Sequence, residues 1–142
     1  MKFLVATDGS KYALAAVAYA AKLALLIGPE PTTITLLSVH DDAGLRRAKA
    51  FAGSESVAKF LRESSELDLD PARKMLDAAG VLHDMEIRTG HVVQEILAVA
   101  NDGKFDMVFM GSKGRGPIAD LLVGSVAQRV LAMAKQPVVL VK

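Results

Sequence analysis

The sequence predicts an α/β domain, a doubly wound five-stranded parallel sheet with helices on both faces, formed by residues 1–142 as one unit. Three observations carry this expectation. Short apolar runs alternate with segments of helical spacing along the whole chain, the pattern of βαβ units. The chain is 51% hydrophobic but only 5% aromatic and has no tryptophan, so its core must be built from Val, Leu, Ile, Ala and Met. That favours α/β packing over an aromatic-rich β-sandwich. A folded chain of 142 residues buries roughly 68–70% of the surface its unfolded form exposes, enough for an independent core.

The elements follow in order. "KFLVATD" is an apolar run closing in a polar turn, a buried strand ending near Thr7. Ser10 can cap the helix that follows. In it Leu14, Val17, Ala21 and Leu25 recur at helical spacing, with Gly28 at its close. "TTITLLSVH" is β-branched and apolar and reads as a second strand ending near His40. Residues 41–56, with Gly44 and Gly53, read as a flexible loop with some helical content. From about Ser56 to Gly80 the pattern is helical but interrupted at "LDLDPARK", where Asp70–Pro71 resembles a helix start. Two helical pieces or one kinked helix fit equally.

A third strand is expected from Leu82 to Arg88. "HVVQEILAVANDG" forms an amphipathic helix with Val93, Ile96, Leu97 and Ala100 on one face. "FDMVFMG" is the fourth strand, Val126, Val130, Leu131 and Ala134 line a last helix, and "PVVLVK" is a final strand.

Charge and composition exclude several classes. Net charge is +1 and no basic run of five residues occurs, so no nucleic-acid surface is expected. Cysteine is absent, which excludes disulfides, thiolate chemistry and cysteine-rich zinc sites. The opening apolar run breaks at Asp8, too early for a signal peptide. The stretch from Ala13 to Ile27 contains Lys22 and is too short to span a bilayer. A soluble, cytoplasmic protein with no membrane partner is expected.

In doubly wound sheets ligands bind beyond the carboxyl ends of the strands. The glycine-rich stretch "MGSKGRGPIADLLVGS", Met110 to Ser125, falls at such an end, after the fourth strand. It is neither a P-loop nor the dinucleotide fingerprint. Its spacing is Gly111, two residues, Gly114, nine residues, then Gly124 and Ser125. Glycine at 111 and 114 lets backbone approach a ligand closely. The N–H groups and hydroxyl at Gly124–Ser125, where the last helix begins, form an anion site. The nine intervening residues leave room for a turn and the short apolar segment "IADLLV".

The spacing G-x-x-G-(nine residues)-G-[ST] resembles the nucleotide-binding pattern of the universal stress proteins, in their ATP-binding branch. The resemblance spans the chain, through "VATDGS", "RTGHVVQEILAVANDGKFDMVFMGSKGRG" and "LLVGSVAQRVLAMAKQPVVLVK". It implies a Rossmann-like sheet of strand order 3-2-1-4-5 and bound ATP, with AMP or ADP as alternatives and Mg²⁺ accompanying. By the resemblance Asp8 lies near the adenosine and the backbone of Val39 meets adenine. Gly111 and Gly114 lie beside ribose and phosphates, and Gly124 and Ser125 hold phosphates. Ser112, Arg115 and Val126 are neighbours within reach of ligand. The family commonly dimerises through its last strand, which implies a homodimer here.

Simpler roles compete at each position. Gly111 can merely end a strand, Asp8 can cap a helix and Ser125 can be only an N-cap. Lys113 and Arg115 can be solvated loop charges, Lys113 more so. His40 and His91 both lie near strand ends, but no ligand spacing supports a metal there. Asp41–Asp42 could hold Mg²⁺ through phosphates but reads as solvent-facing. The six methionines are packing.

Phosphoryl transfer needs a metal-positioning carboxylate and a base as well as a phosphate cradle. Asp8 is the one acidic candidate at the site and no catalytic residue is nominated. The expected function is a regulatory ATP-binding protein that presents an altered surface to a protein partner. Hydrolysis or autophosphorylation, with Ser125 as acceptor, would be slow at most. The alternatives are an ATP-hydrolysing or nucleotidyl-transferring enzyme and a nucleotide-independent dimeric interaction module.

Overall fold

The structure is a computed structural model and describes residues 1–116 and 123–142. Its elements are β1 (Lys2–Ala6), α1 (Lys11–Leu26), β2 (Thr33–Asp41), α2 (Asp42–Ala52), α3 (Ser54–Ala79), β3 (His83–Gly90), α4 (Val92–Asp102), β4 (Met107–Gly111), α5 (Ser125–Met133) and β5 (Val138–Val141). The five strands form one sheet in the order β3-β2-β1-β4-β5, every pairing parallel. The expected fold class and strand order are both present.

Alternation along the strands splits the core into two layers. Phe3, Val5, Ile34, Leu36 and Phe109 face α1 and α3, where they meet Val17, Ala20, Leu69 and Leu76. Leu4, Ala6, Leu37, Val108 and Met110 face the other way, toward Val93, Ile96 and Ala100 of α4 and Val130 of α5. The central strands are thus apolar on both sides, which is why they read as continuous runs.

Local chemistry sets the helix ends. The Ser10 hydroxyl accepts the Ala13 N–H at 3.3 Å and starts α1. Gly80, at φ +68°, closes α3 with a Schellman pair of bonds. The Val81 N–H reaches the Leu76 carbonyl and the Gly80 N–H reaches the Asp77 carbonyl, each at 3.1 Å.

Three expectations are corrected, and the open choice around Pro71 is resolved. Residues 41–56 are not a flexible loop: α2 occupies Asp42–Ala52, with the Asp41 carboxylate accepting the Ala43 N–H at 3.0 Å as its cap. The stretch around Pro71 is one helix. Proline removes the bond to the Leu67 carbonyl, and it does so on a solvent-facing side of the helix, where Leu67 is exposed. Arg73 and Lys74 both contact Asp70 at 2.7 Å across the same turn. Those hydrogen bonds, Lys74 first, hold the Asp70 carboxyl below its ordinary pKa. β3 continues to Gly90, because β2 pairs with it as far as Asp41. Leu25 and Leu131 face solvent. In α1 the buried face is mostly alanine, which lets the helix lie close to the sheet and leaves the larger Leu25 outside. Nothing in the structure explains the exposure of Leu131. The segment "IADLLV" lies, up to residue 122, outside the described residues.

Candidate functional site

A cavity of about 360 Å³ opens at the carboxyl ends of β1, β2 and β4. Of the nine residues nominated from sequence, Asp8, Val39, Gly111, Gly114, Arg115, Gly124, Ser125 and Val126 line it. They come from four separate segments, and the reversal of strand order at β1 brings them together.

Its inner end is apolar. Ala6, Leu37 and Met110 belong to the strand faces that look toward α4, and Val92 and Ile96 of α4 complete the wall. Val39 has a further property. The Thr7 N–H donates to the Leu37 carbonyl at 2.9 Å, so Leu37 turns its backbone groups toward β1. In a parallel ladder those groups alternate between the two neighbouring strands. Val39, two residues on, therefore turns its N–H and C=O the same way. The β1–β2 register ends at Ala6–Leu37, and no β1 strand residue stands opposite Val39. A donor and an acceptor edge the cavity.

The outer end is polar. The Thr7 hydroxyl accepts the Gly9 N–H at 3.2 Å, and Asp8 Oδ1 accepts the Ser10 N–H at 2.9 Å. The other carboxylate oxygen, Oδ2, lies on the Gly114 side, 3.1 Å from where a Cβ on Gly114 would stand. Asp8 thus both braces the turn and borders the cavity. Lys113 Nζ lies 6.0 Å from the centre of the Tyr12 ring.

The two ends of the glycine motif differ. A Cβ on Gly111 would lie 2.7 Å from both the Ala13 nitrogen and the Tyr12 carbonyl carbon, so this glycine admits the first turn of α1. Gly124 meets nothing closer than 3.5 Å. Its N–H is already engaged, donating to the Ser112 carbonyl at 2.6 Å. Ser125 is the first residue of α5 rather than its cap; the cap position is Gly124, with no side-chain bond. The Gln128 N–H reaches back to the Gly124 carbonyl. The N–H groups of residues 125–127 are therefore those a helix start leaves without an intrahelical acceptor. They favour an anion.

Two nominated side chains have other attachments. Ser112 does not line the cavity: it is buried, its N–H donates to the Val141 carbonyl at 2.8 Å, and its hydroxyl has no partner among the described residues. Arg115 borders the cavity but donates from Nη2 to Asp68 Oδ1 at 2.6 Å. His40 and His91 do not converge. The His40 ring is hydrogen-bonded to the Ser65 hydroxyl, and His91 is exposed at the start of α4. Among the described residues no group of three metal-ligating side chains occurs, and no helix is long and apolar enough to cross a membrane.

Sequence reading missed the apolar wall of Leu37, Val92 and Ile96. Strand parity carries the signal for Leu37, which shares a face with Val39. Nothing local marks Val92 and Ile96, since they resemble any core-facing turn of a helix.

Comparisons with known proteins bear on the family and the fold. A universal stress protein of Methanocaldococcus jannaschii is 32% identical over 141 residues, covering 99% of this chain and 81% of its own. A second one from the same organism is 28% identical over 155 residues, and its solved structure superimposes with a TM-score of 0.84 at 26% identity, covering 99% of this chain and 94% of that one. A universal stress protein in complex with cAMP shares the fold at 24% identity and a TM-score of 0.64, with 100% and 97% coverage. The Archaeoglobus fulgidus universal stress protein in complex with dAMP does so at 22% and 0.60, with 100% and 98% coverage. The sequence model of the Universal stress protein family matches residues 1–142, and the chain belongs to that family.

Proposed function

We propose that this protein is a regulatory nucleotide-binding protein that holds ATP in the cavity at the strand ends, with at most slow hydrolysis. One observation carries the reading: eight of the nine residues nominated from sequence surround a single cavity. Its volume of about 360 Å³ lies within the roughly 300–1,000 Å³ typical of small-molecule sites. The apolar inner end suits a purine. The Val39 N–H and C=O match the acceptor and donor on the pairing edge of adenine, whereas guanine presents a carbonyl where adenine has an amino group. The first turn of α5, with Lys113 and Arg115, suits phosphates. The family members solved with cAMP and with dAMP support the adenine-nucleotide class.

The ATP preference rests on the cationic outer end, since AMP and ADP fill the same inner end. Asp8 Oδ2 is the carboxylate oxygen on hand for a Mg²⁺ carried in by the nucleotide. Among the described lining residues Asp8 is also the one carboxylate, and one of its oxygens already holds the Ser10 N–H. Among the described lining residues that leaves no second carboxylate to orient a water, which supports binding over turnover.

Equilibrium titration with ATP, ADP, AMP and GTP, with and without Mg²⁺, tests the reading. ATP should bind with GTP at least tenfold weaker. An ATP dissociation constant above about 1 mM, less than roughly 4 kcal/mol, would sink it. Turnover at about 1 s⁻¹ or faster would favour an enzyme instead.

We also propose a homodimer. β5 is an edge strand whose four residues are all half-exposed, and pairing with β5 of a second copy would cover it. Sedimentation as a monomer at micromolar concentration would rule this out.

A further inference from the structure

We propose that Asp68 is a selectivity residue of this cavity, acting through Arg115 to make affinity depend on the charge of the ligand. The inference rests on the nucleotide reading above and deepens it. Asp68 lies on α3 and does not line the cavity, and no sequence motif marks it. Its carboxylate nevertheless reaches 47 positions along the chain to Arg115, at 2.6 Å.

The geometry gives the pair a direction. α3 packs with α1 on one face of the sheet, whereas the apolar wall and the first turn of α5 belong to the other. The Arg115 guanidinium lies directly over the β1–α1 turn. A Cβ on Gly9 would stand 2.9 Å from Arg115 Nη2 and 3.2 Å from the Asp68 carbonyl oxygen. Asp68 thus draws the guanidinium across the strand ends, toward α3 and away from the N–H groups of α5. Phosphates seated at α5 would compete with Asp68 for the guanidinium, which also borders the cavity.

The burial of the two partners fits an exchange. The Asp68 side chain is 20% exposed and that of Arg115 58%, so the arginine is the more solvated partner. A neutral ligand such as adenosine gives Arg115 no reason to move and leaves the clasp closed. A triphosphate offers a higher density of charge and bidentate oxygens, and takes it. By linkage, a closed clasp weakens binding of the triphosphate, and bound triphosphate loosens the hold of the loop on α3.

The experiment titrates adenosine and ATP into the wild-type chain, Asp68→Asn, Arg115→Gln and the double variant. Asp68→Asn should raise ATP affinity about fivefold, the upper range for a partly exposed pair, and leave adenosine within about twofold, a shift that lost packing alone would not produce. The gain should vanish in the Arg115→Gln background, and Asp68→Glu should restore wild-type selectivity. Unchanged or weaker ATP binding by Asp68→Asn overturns the clasp, as does a gain that persists without Arg115. A wild-type chain that binds no ATP overturns the nucleotide reading and the clasp together; ATP bound equally by wild type and Asp68→Asn overturns the clasp alone. Amide exchange in the wild-type chain gives an independent readout. ATP but not adenosine should speed exchange around Asp68, and equal exchange with the two ligands is evidence against the proposal.

Discussion

The two ends of the cavity are built on different principles. The inner end is made by regular elements: Leu37 and Val39 of β2, Val92 and Ile96 of α4. Its shape follows from strand parity and helix packing, and the polar groups described there are backbone ones. The outer end is made by a loop and a helix start, Lys113, Gly114, Arg115, Gly124 and Ser125, and is governed by charge and by missing side chains. An end made of sheet and helix can discriminate shape because it cannot yield. A charged loop end can respond to a ligand because its bonds, such as Arg115 to Asp68, can be exchanged.

The sharpest way to break this contrast lies inside the glycine motif. Gly111→Ala should destabilise the fold by about 2–3 kcal/mol, because the added Cβ meets backbone atoms of Tyr12 and Ala13 that cannot swing aside. Denaturant unfolding measures it, and a wild-type midpoint would show that Gly111 belongs with the adaptable end.

A smaller effect is expected at the inner wall. Val92→Phe fills space in the cavity and should weaken adenosine and ATP alike by about tenfold, or 1.4 kcal/mol. A loss confined to ATP would mean that the inner end does not hold the base. The smallest effect belongs to Gly124→Ala. Its φ is −70° and its nearest neighbour lies at 3.5 Å, so stability should stay within about 0.5 kcal/mol of wild type. A melting shift as large as that of Gly111→Ala would erase the distinction between the two glycines.

Much of the fold was legible because its signals are local. Continuous apolar runs mark strands buried on both faces, and β1 and β4 are such strands. Capping by Ser10 and the glycine after α1 were equally readable. The stretch from 41 to 56 was misread because its glycines and polar residues outweigh its helical spacing, and the Asp41 cap becomes visible only when β2 is known to end there. Leu25 was misplaced because hydrophobicity ranks leucine above alanine, while the close approach of α1 to the sheet prefers alanine.

The site divides in the same way. Chain order places Asp8, Val39 and the glycine loop at one edge of a parallel sheet, and the family resemblance nominated Asp8 and Val39 there as ligand contacts. Three things were decided by tertiary structure. Gly111 is pressed against α1, the N–H of Gly124 is taken by Ser112, and Arg115 is held by Asp68. The first and the third depend on contacts between segments far apart in the chain, and the second joins the two ends of the glycine-rich stretch. Residue order and periodicity encode which face and which end a side chain occupies, because the periods of helix and strand are fixed by covalent geometry. They do not encode how close two packed elements come or which of several acceptors a donor meets. Those follow only when the whole core closes.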